Sequence, residues 1–273
     1  MAGEKISKNI DVYTSDPTAY YLGYREADFS KPFAKYFDFN VAPISDEVMK
    51  GVVSSPWPSG LGFEASEAHD YLLRPGYLPV ENGFLKTPKG ALMIACRTDM
   101  GQVTGEAFDW WFGWHSVESA RYKLWCPTAH QYAWRYPDTM DFGNKSYAER
   151  YYNTFSFIDE YIGGDHTKAT VAFINPADIG IDKSKWPAVG IETMLVARVG
   201  IGAHITEGFD DFSYIVHQIR RKADGTREMR SRFWLAPGVP ESVAHDICVH
   251  CGTEMPHLAK FLPQLFDEFK DGL

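Results

Sequence analysis

The sequence of 273 residues contains no run of basic residues, and its formal net charge at pH 7 is −9. Grooves for nucleic acid and surfaces for anionic membranes both need clustered lysine and arginine, so the composition argues against either partner. No uninterrupted apolar segment approaches the roughly 18 residues of a membrane-spanning helix. Residues 1–8 (MAGEKISK) also lack an apolar stretch, so no signal peptide is predicted.

Cysteine is scarce as well, with four residues in the whole chain. Without a predicted leader, these are expected to be reduced thiols in a cytoplasmic protein. Cys248 and Cys251 form a C-x-x-C motif, but Cys96 and Cys126 do not supply a second one, so the spacing of a zinc ribbon is absent. The pair predicts two buried cysteines of one helix, and the alternative is a redox pair.

What the chain has in abundance is apolar and aromatic material, at 45% and 15% of its residues. Large rings suit a roomy pocket for a flat ligand as well as they suit a core. Residues 1–75 hold short aromatic clusters among polar residues and follow no long period, whereas the pattern sharpens after them. We therefore predict an N-terminal extension over residues 1–75 and a main domain over residues 76–273. The aromatic residues of the extension favour a dimerisation region, and hence a homodimer.

Short apolar runs bounded by turn residues predict a succession of strands in the main domain. They cover residues 90–96, 121–125, 169–174, 194–204, 212–219 and 228–235. The last two runs flank Ala223-Asp224-Gly225, a hairpin turn signal. Residues 105–115 predict a short helix. The amphipathic segment that follows His250 predicts a long helix, although Gly252 and Pro256 weaken it.

Strands joined by short turns and closed by one long helix indicate an α+β protein, in which an antiparallel sheet wraps around the helix. Such an arrangement leaves a cavity between the sheet and the helix, where a ligand would bind. No internal repeat or low-complexity tract points to another architecture.

Half of a metal site is suggested by His250 and Glu254, four residues apart at the start of the predicted long helix. This spacing places both side chains on one helix face, where an imidazole nitrogen and a carboxylate oxygen suit zinc. The alternative is a solvated pair on the surface. His130 lies in a predicted loop after a strand, and Asp159 and Glu160 cannot be distinguished by spacing alone.

His204 lies at the end of a predicted strand with unusual neighbours. It shares its strand face with Gly200 and Gly202, and glycines in a strand often clear space for a ligand or another backbone. A histidine that looks into such a space is a candidate for a catalytic role, and a purely structural role is the alternative.

His217 has apolar neighbours on its predicted strand. It faces the same way as Ile215 and Ile219, opposite Tyr214, and this pattern is typical of a core histidine. Three further histidines with polar or surface-like surroundings are interpreted as residues without a special role: His69, His166 and His257.

Several segments match a known pattern in unbroken order. They are residues 72–78 (LLRPGYL), 108–115 (FDWWFGWH), 121–125 (RYKLW) followed by His130, 229–235 (MRSRFWL), and His250 with Glu254. Together they resemble the 2,4-diacetylphloroglucinol hydrolase and phloretin hydrolase family, whose members hydrolyse a carbon–carbon bond next to an aryl ketone. The resemblance extends over about residues 70–270.

This resemblance implies a Bet v1-like helix-grip domain with one zinc ion held by two histidines and two glutamates. Carried over residue by residue, the implied ligands are His130, Glu160, His250 and Glu254. His204 resembles the active-site histidine of the family that is not a metal ligand.

The resemblance also implies contacts with the substrate. Tyr122 resembles a tyrosine that hydrogen-bonds a phenolic hydroxyl, and Trp111 and Tyr214 complete the predicted substrate contacts. Diacetylphloroglucinol hydrolases have a polar residue three positions after the first ligand histidine, where this chain has Ala133. The acyl group that is removed therefore stays open between acetyl and the phenylpropanoyl group of phloretin.

The implied mechanism assigns distinct tasks to these groups. Zinc polarises the ketone or activates water, His204 carries a proton to the ring carbon, and Tyr122 holds a ring hydroxyl. Two other interpretations stay open. A non-catalytic helix-grip module would bind a hydrophobic aromatic ligand in a cavity lined almost only by apolar residues, without stoichiometric metal. An aromatic cyclase or decarboxylase would use the same pocket.

Overall fold

A computed structural model describes residues 20–202, 204, 206 and 213–272, which form eight strands and five α-helices joined by turns and short 3-10 helices. In chain order these elements are α1 (Asp46–Val53), α2 (Ala68–Tyr71), β1 (Gly83–Lys86), β2 (Leu92–Gly101), α3 (Gly105–Trp114), α4 (Ser119–Trp125), β3 (His130–Trp134), β4 (Phe155–Ile162), β5 (Asp165–Ile174), β6 (Ile191–Ile201), β7 (Ser213–Arg221), β8 (Arg227–Leu235) and α5 (Glu241–Phe269). None of these helices is both long enough and apolar enough to cross a bilayer.

All eight strands join in one antiparallel sheet with the order β1-β2-β8-β7-β6-β5-β4-β3. From β3 to β8 each strand pairs with the next one along the chain, and β8 then pairs with β2. A tight turn at residues 222–226 joins β7 to β8, which confirms the predicted hairpin. The α+β prediction is confirmed. The open sheet and the long last helix are consistent with a helix-grip domain, and the Bet v1 assignment stays a prediction.

The two faces of the sheet are covered by different parts of the chain. Helices α3 and α5 pack on one face, where the fully buried Trp110 and Trp111 join the larger hydrophobic core. The other face is covered by irregular segments that precede β1 and β6, with Phe63, Leu72 and Trp186 in its smaller core. The predicted cavity between sheet and helix therefore belongs to the face that α5 covers.

Helix α5 continues without a break through Pro256, although proline removes one helical hydrogen bond. At Gly252 the helix packs closely against α1 and the residues just before it. A Cβ added to Gly252 would lie 2.9 Å from Cγ1 of both Ile44 and Val48. The absent side chain thus lets the two helices approach each other. Tertiary packing of this kind outweighs the weak helix propensity that the sequence shows at Gly252 and Pro256.

Residues 20–75 pack against both faces of the sheet. Phe33 and Val52 belong to the larger core, and Leu72 belongs to the smaller one. Residues 1–19 lie outside the described residues. The role of this region as an N-terminal extension and dimerisation region stays a prediction.

Three local predictions differ from the structure. Residues 121–125, predicted as a strand, belong to helix α4, because so short a buried run does not reveal its period. His130, predicted in a loop, is the first residue of β3. Strand β4 was not predicted, because its acidic and aromatic residues interrupt any apolar run. Two predicted strands extend to positions that lie outside the described residues: Ala203 and Phe212.

The prediction of two buried cysteines on one helix is confirmed, since Cys248 and Cys251 are buried free thiols of α5. His257 on the same helix does not have the surface-like surroundings that its sequence neighbours indicated. It is fully buried, and neither ring nitrogen has a hydrogen-bond partner in the described part of the chain. Polar neighbours in the sequence do not imply exposure on a helix that packs along several of its faces.

Candidate active site

Two histidines and two glutamates converge between the β3–β4 edge of the sheet and α5. The Nε2 atom of His130 lies 3.3 Å from Oε2 of Glu160 and 3.4 Å from Oε2 of Glu254. The Nε2 atom of His250 lies 3.5 Å from each of the same two oxygens. The structure therefore brings together all four side chains that the family resemblance implies as ligands.

The backbone alone accounts for this convergence. His130 and Glu160 are direct partners across β3 and β4, so their side chains stand on the same face of the sheet. His250 and Glu254 are one helical turn apart on α5 and project from one helix face. The site forms where a strand pair and a helix each contribute one nitrogen and one carboxylate.

Alternation along β4 places Asp159 and Glu160 on opposite faces of the sheet, which distinguishes two acids that the sequence alone could not. Ile158 and Glu160 line a cavity on the helix-covered face. Asp159 projects to the other face, where its Oδ1 lies 2.9 Å from Nε2 of His204. Of the two acids, Glu160 is the one that faces the histidines.

The spacing of these atoms fits a small divalent metal. In a tetrahedral site with bonds of about 2.0–2.1 Å, neighbouring ligand atoms lie about 3.3–3.4 Å apart. The four histidine–glutamate separations run from 3.3 to 3.5 Å. His130, His250 and Glu254 form a group whose ligand atoms all lie within 4.8 Å of one another, and Glu160 stands beside this group.

His130 has the tautomer that a metal ligand needs. Its Nδ1 lies 3.0 Å from the backbone oxygen of Tyr122, and because a carbonyl only accepts, Nδ1 carries the hydrogen. Nε2 is buried and makes no hydrogen bond within the described residues. A nitrogen in this position requires a proton or a cation between it and the facing carboxylates, because burial of unpaired charge is costly.

Without a cation, a proton on Nε2 of His130 would fill that role. Burial lowers the pKa of the His130 imidazole, but Glu160 and Glu254 outweigh burial and raise it to about 9. Burial raises the pKa of Glu254, but His250 and His130 overcome this effect and hold it at about 2. A divalent cation would bind by displacing the histidine protons, so its affinity should depend on pH.

Tyr122 packs directly against this group. Its hydroxyl donates to Oε2 of Glu160 at 2.6 Å, and its ring stacks on His130 with centroids 3.8 Å apart. The stack continues through His115 to Trp111, with centroid distances of 5.8 and 4.7 Å. Burial and the Glu160 carboxylate raise the pKa of Tyr122, so its hydroxyl remains a donor.

A cavity of about 230 Å³ opens beside these four side chains, between α5 and strands β4 to β8. Pockets for drug-sized ligands usually measure about 300–1,000 Å³, so this one suits a compact ligand. Its polar groups include Tyr122, Glu160, His250, Glu254, His115 and His217. A cavity with this many polar groups differs from the almost wholly apolar one expected of a module that only binds a hydrophobic ligand.

The other predicted site residues lie at different distances from the cavity. Tyr122 lines it, whereas Trp111 lies one layer behind, stacked on His115. Tyr214 contributes to the cavity lining, but it packs against the smaller core on the other face of the sheet. His204 lies behind β4 and does not line the cavity. The structure thus brings neither His204 nor Trp111 to the cavity wall.

Two cavity-lining histidines were not recognised as site residues from the sequence. Burial lowers the pKa of His115 to about 3, and its Nδ1 donates to the backbone oxygen of Trp111 at 2.7 Å. His217 shares its strand face with Ile215, as predicted, but that face is a cavity wall and not solid core. Strand alternation was the available signal for His217, and no sequence signal distinguished His115 from its aromatic neighbours.

Comparison with known proteins places this site in a family. The sequence matches the profile described as DAPG hydrolase PhiG domain over residues 63–267. The chain belongs to this family. The match includes all eight strands and all four converging side chains. The predicted resemblance is confirmed, and so is the prediction of a hydrolase that acts on carbon–carbon bonds in ketones.

Two named relatives of this DAPG hydrolase family member cover most of its length. It is 27% identical over 267 residues to the 2,4-diacetylphloroglucinol hydrolase of Pseudomonas protegens, across 88% of this chain and 85% of that protein. It is 27% identical over 270 residues to the phloretin hydrolase of Eubacterium ramulus, across 92% and 94%. The two names refer to different compounds at equal identity, so similarity alone does not select between them.

Proposed function

We propose that this chain hydrolyses the carbon–carbon bond between an acyl carbonyl and a phloroglucinol-type ring, releasing a carboxylic acid and the deacylated phenol. The names of its relatives support this substrate class. The observation that carries the proposal is the convergence of His130, Glu160, His250 and Glu254 beside a compact cavity that is also lined by aromatic rings.

The proposed metal is zinc, with these four side chains as its ligands. Two nitrogens and two oxygens at tetrahedral spacing suit zinc among the first-row ions. When bound, zinc supplies a Lewis acid for the ketone oxygen and for the attacking water. The protein orients the ligands through Tyr122, whose backbone oxygen accepts from His130 and whose hydroxyl donates to Glu160.

Cleavage requires a proton at the ring carbon. Hydrolysis adds the hydroxyl of water to the acyl carbon and a proton to the ring carbon, while the bond between these carbons breaks. A phloroglucinol ring takes up this proton readily, because its hydroxyls allow a keto tautomer. We propose that Tyr122 holds one ring hydroxyl. Its own hydrogen is donated to Glu160, which leaves its oxygen lone pairs to accept from the substrate.

His204 is proposed as the proton carrier on the strength of the family resemblance. In the structure its Nε2 lies 2.9 Å from Oδ1 of Asp159, behind β4. The role therefore requires a side-chain position other than the described one, and a direct substitution tests it (see Discussion).

Metal analysis combined with product identification tests the proposed function. The purified protein is incubated with 2,4-diacetylphloroglucinol and with phloretin. We expect stoichiometric zinc and the release of a carboxylic acid together with a deacylated phenol from at least one substrate. The absence of a carboxylic acid with both compounds would rule out the hydrolysis, and undiminished turnover after metal removal would rule out the zinc.

A cytoplasmic location and a homodimer complete the proposal. Large apolar side chains in the N-terminal region support a subunit contact, since Leu22, Phe29 and Phe39 are 44%, 58% and 55% exposed in the single chain. Light scattering of the purified protein measures the oligomeric state directly.

A further inference from the structure

Three imidazoles line the cavity, those of His115, His217 and His250, and His217 is on a strand that carries none of the proposed metal ligands. His217 on β7 is 5% exposed and lines the same cavity as Glu160 and His250. Two strands, β6 and β5, separate β7 from β4, so roughly 14 Å lies between the backbones of β7 and β4 if each spacing is about 4.8 Å. The side chains of His217 and Glu160 both line the cavity, from strands that stand on either side of β5 and β6.

One nitrogen of His217 is already occupied. Its Nδ1 lies 2.8 Å from Oγ of Ser231, which is its direct partner on β8. The other nitrogen, Nε2, makes no hydrogen bond to any described residue. It is nevertheless not fully enclosed by protein atoms, so it faces open space. Because the residue lines the cavity, this open space is the cavity itself.

The charge state of His217 suits recognition of a neutral ring. Burial lowers its pKa to about 4, against a smaller opposing effect of Glu254, so the imidazole is neutral near pH 7. A hydroxyl such as that of Ser231 can donate to Nδ1 or accept from it, so either tautomer of His217 is satisfied. Nε2 can therefore accept from a phenolic hydroxyl or donate to the carbonyl of a keto tautomer.

We propose that His217 determines specificity for the ring: its Nε2 hydrogen-bonds one ring oxygen, while the acyl carbonyl lies toward the metal ligands. This inference rests on the proposed function. A buried polar group that is matched to a substrate hydroxyl discriminates against an analogue without it, because the group is then left unpaired. His217 would thus distinguish multiply hydroxylated acylphenones from less hydroxylated ones.

Paired substrates and paired variants test this role. The substrates are 2,4,6-trihydroxyacetophenone and the dihydroxyacetophenones that lack one ring hydroxyl. The measured quantity is the ratio of kcat/KM between them, for the wild type, His217→Phe, His217→Gln and Ser231→Ala. We expect His217→Phe to lose about 10-fold or more of the preference for one ring hydroxyl, the usual scale of a buried hydrogen bond. His217→Gln should restore part of it.

Ser231→Ala is the matched control. Like His217→Phe, it removes the hydrogen bond between Ser231 and Nδ1 of His217, but it keeps the imidazole and its Nε2. It should retain most of the preference, with unchanged metal content. If His217→Phe does not fold, as judged by thermal unfolding, the comparison of His217→Gln with Ser231→Ala replaces it. An unchanged preference in the His217 variant that folds overturns the proposal, and so does an equal loss in Ser231→Ala.

Failure of the proposed function gives a different result. In that case the wild type cleaves neither substrate, and binding of phloroglucinol is measured by tryptophan fluorescence. A weakening of about 10-fold in the His217 variant, but not in Ser231→Ala, still supports the recognition role. Equal affinity in all proteins overturns it.

Discussion

His130 on β3 and Glu160 on β4 are direct partners across the two strands, with their Nε2 and Oε2 atoms 3.3 Å apart. Because β3 is one of the two edge strands of the sheet, this pair fixes one side of the candidate metal site to that edge. His250 and Glu254 fix the other side to α5. A metal ion bound here would tie the edge of the sheet to the last helix.

His250→Ala and Glu254→Ala should abolish metal retention and turnover together, because each removes one ligand of the proposed four-ligand site. Metal content by mass spectrometry and product release are measured on the same preparations. His245→Ala is the control, since His245 lies on the same helix with a side chain that is 51% exposed. Full activity in a ligand variant without bound metal would contradict the metal-dependent mechanism.

His204→Ala should leave metal content intact while turnover falls by roughly 10²–10⁴-fold, the usual contribution of a general acid or base. His166→Ala is a close control, because Nε2 of His166 lies 3.3 Å from the same Asp159 carboxylate and its side chain is 42% exposed. Only the His204 variant should lose activity. An unaffected rate would remove His204 from the mechanism and would agree with its position behind β4.

A buried charge cluster on the other face of the sheet makes stability depend on pH. Arg230 donates to both oxygens of Glu81, at 2.6 and 3.0 Å, and Arg232 donates at 2.7 Å. Burial raises the pKa of Glu81, but the two guanidinium groups outweigh it and hold it at about 2, below the ordinary value of 4.5. Since the folded-state pKa is the lower one, the stabilisation is complete above about pH 4.5 and is lost as the pH falls toward 2.

Glu81→Gln should therefore lower the free energy of unfolding at pH 7 by on the order of 3 kcal/mol, and the difference from the wild type should shrink by roughly half at pH 3. Urea unfolding at both pH values measures this difference. Glu47→Gln serves as the control, because Glu47 pairs with Arg97 but is 66% exposed and should contribute less than about 1 kcal/mol. A difference that is constant with pH would contradict the linkage.

Gly252→Ala should destabilise the protein although alanine is the better helix former. The added Cβ would meet Ile44 and Val48 at 2.9 Å, and such overpacking costs about 1–3 kcal/mol. The gain in helix propensity is only about 1 kcal/mol. The double variant with Ile44→Ala should recover much of the loss in thermal unfolding. An increase in stability for the single variant would show that α1 and α5 separate easily.

Strand alternation predicted which face of a strand a side chain points to, because this direction depends only on the local backbone. The face of β7 that carries Ile215 and His217 was assigned correctly, because the period of two depends only on the local backbone. The position of Glu160 was not predictable in this way. Its contact with His130 depends on pairing between β3 and β4, and the irregular segment of residues 135–154 that separates these strands does not reveal their register.

Helix α4 and His204 are two cases in which a local sequence pattern gave a wrong prediction. Residues 121–125 belong to the seven-residue helix α4, whose side chains are mostly buried, and so short a run with little polar face fits either period. His204 was assigned to the cavity from the glycines at 200 and 202, but its ring lies behind β4 with Asp159. Sequence pattern identified the chemical groups, whereas tertiary contacts decide which of them meet.

The positions of the four converging side chains in the chain determine the order in which the two halves of the site are synthesised. Glu160 and His250 are 90 residues apart in the chain, since 250 − 160 = 90. During synthesis the strand half of the site leaves the ribosome well before the helix half exists. A nascent chain that has made β3 and β4 offers a metal only one imidazole and one carboxylate. Stable binding of the proposed metal would therefore have to wait until α5 has been made and has docked.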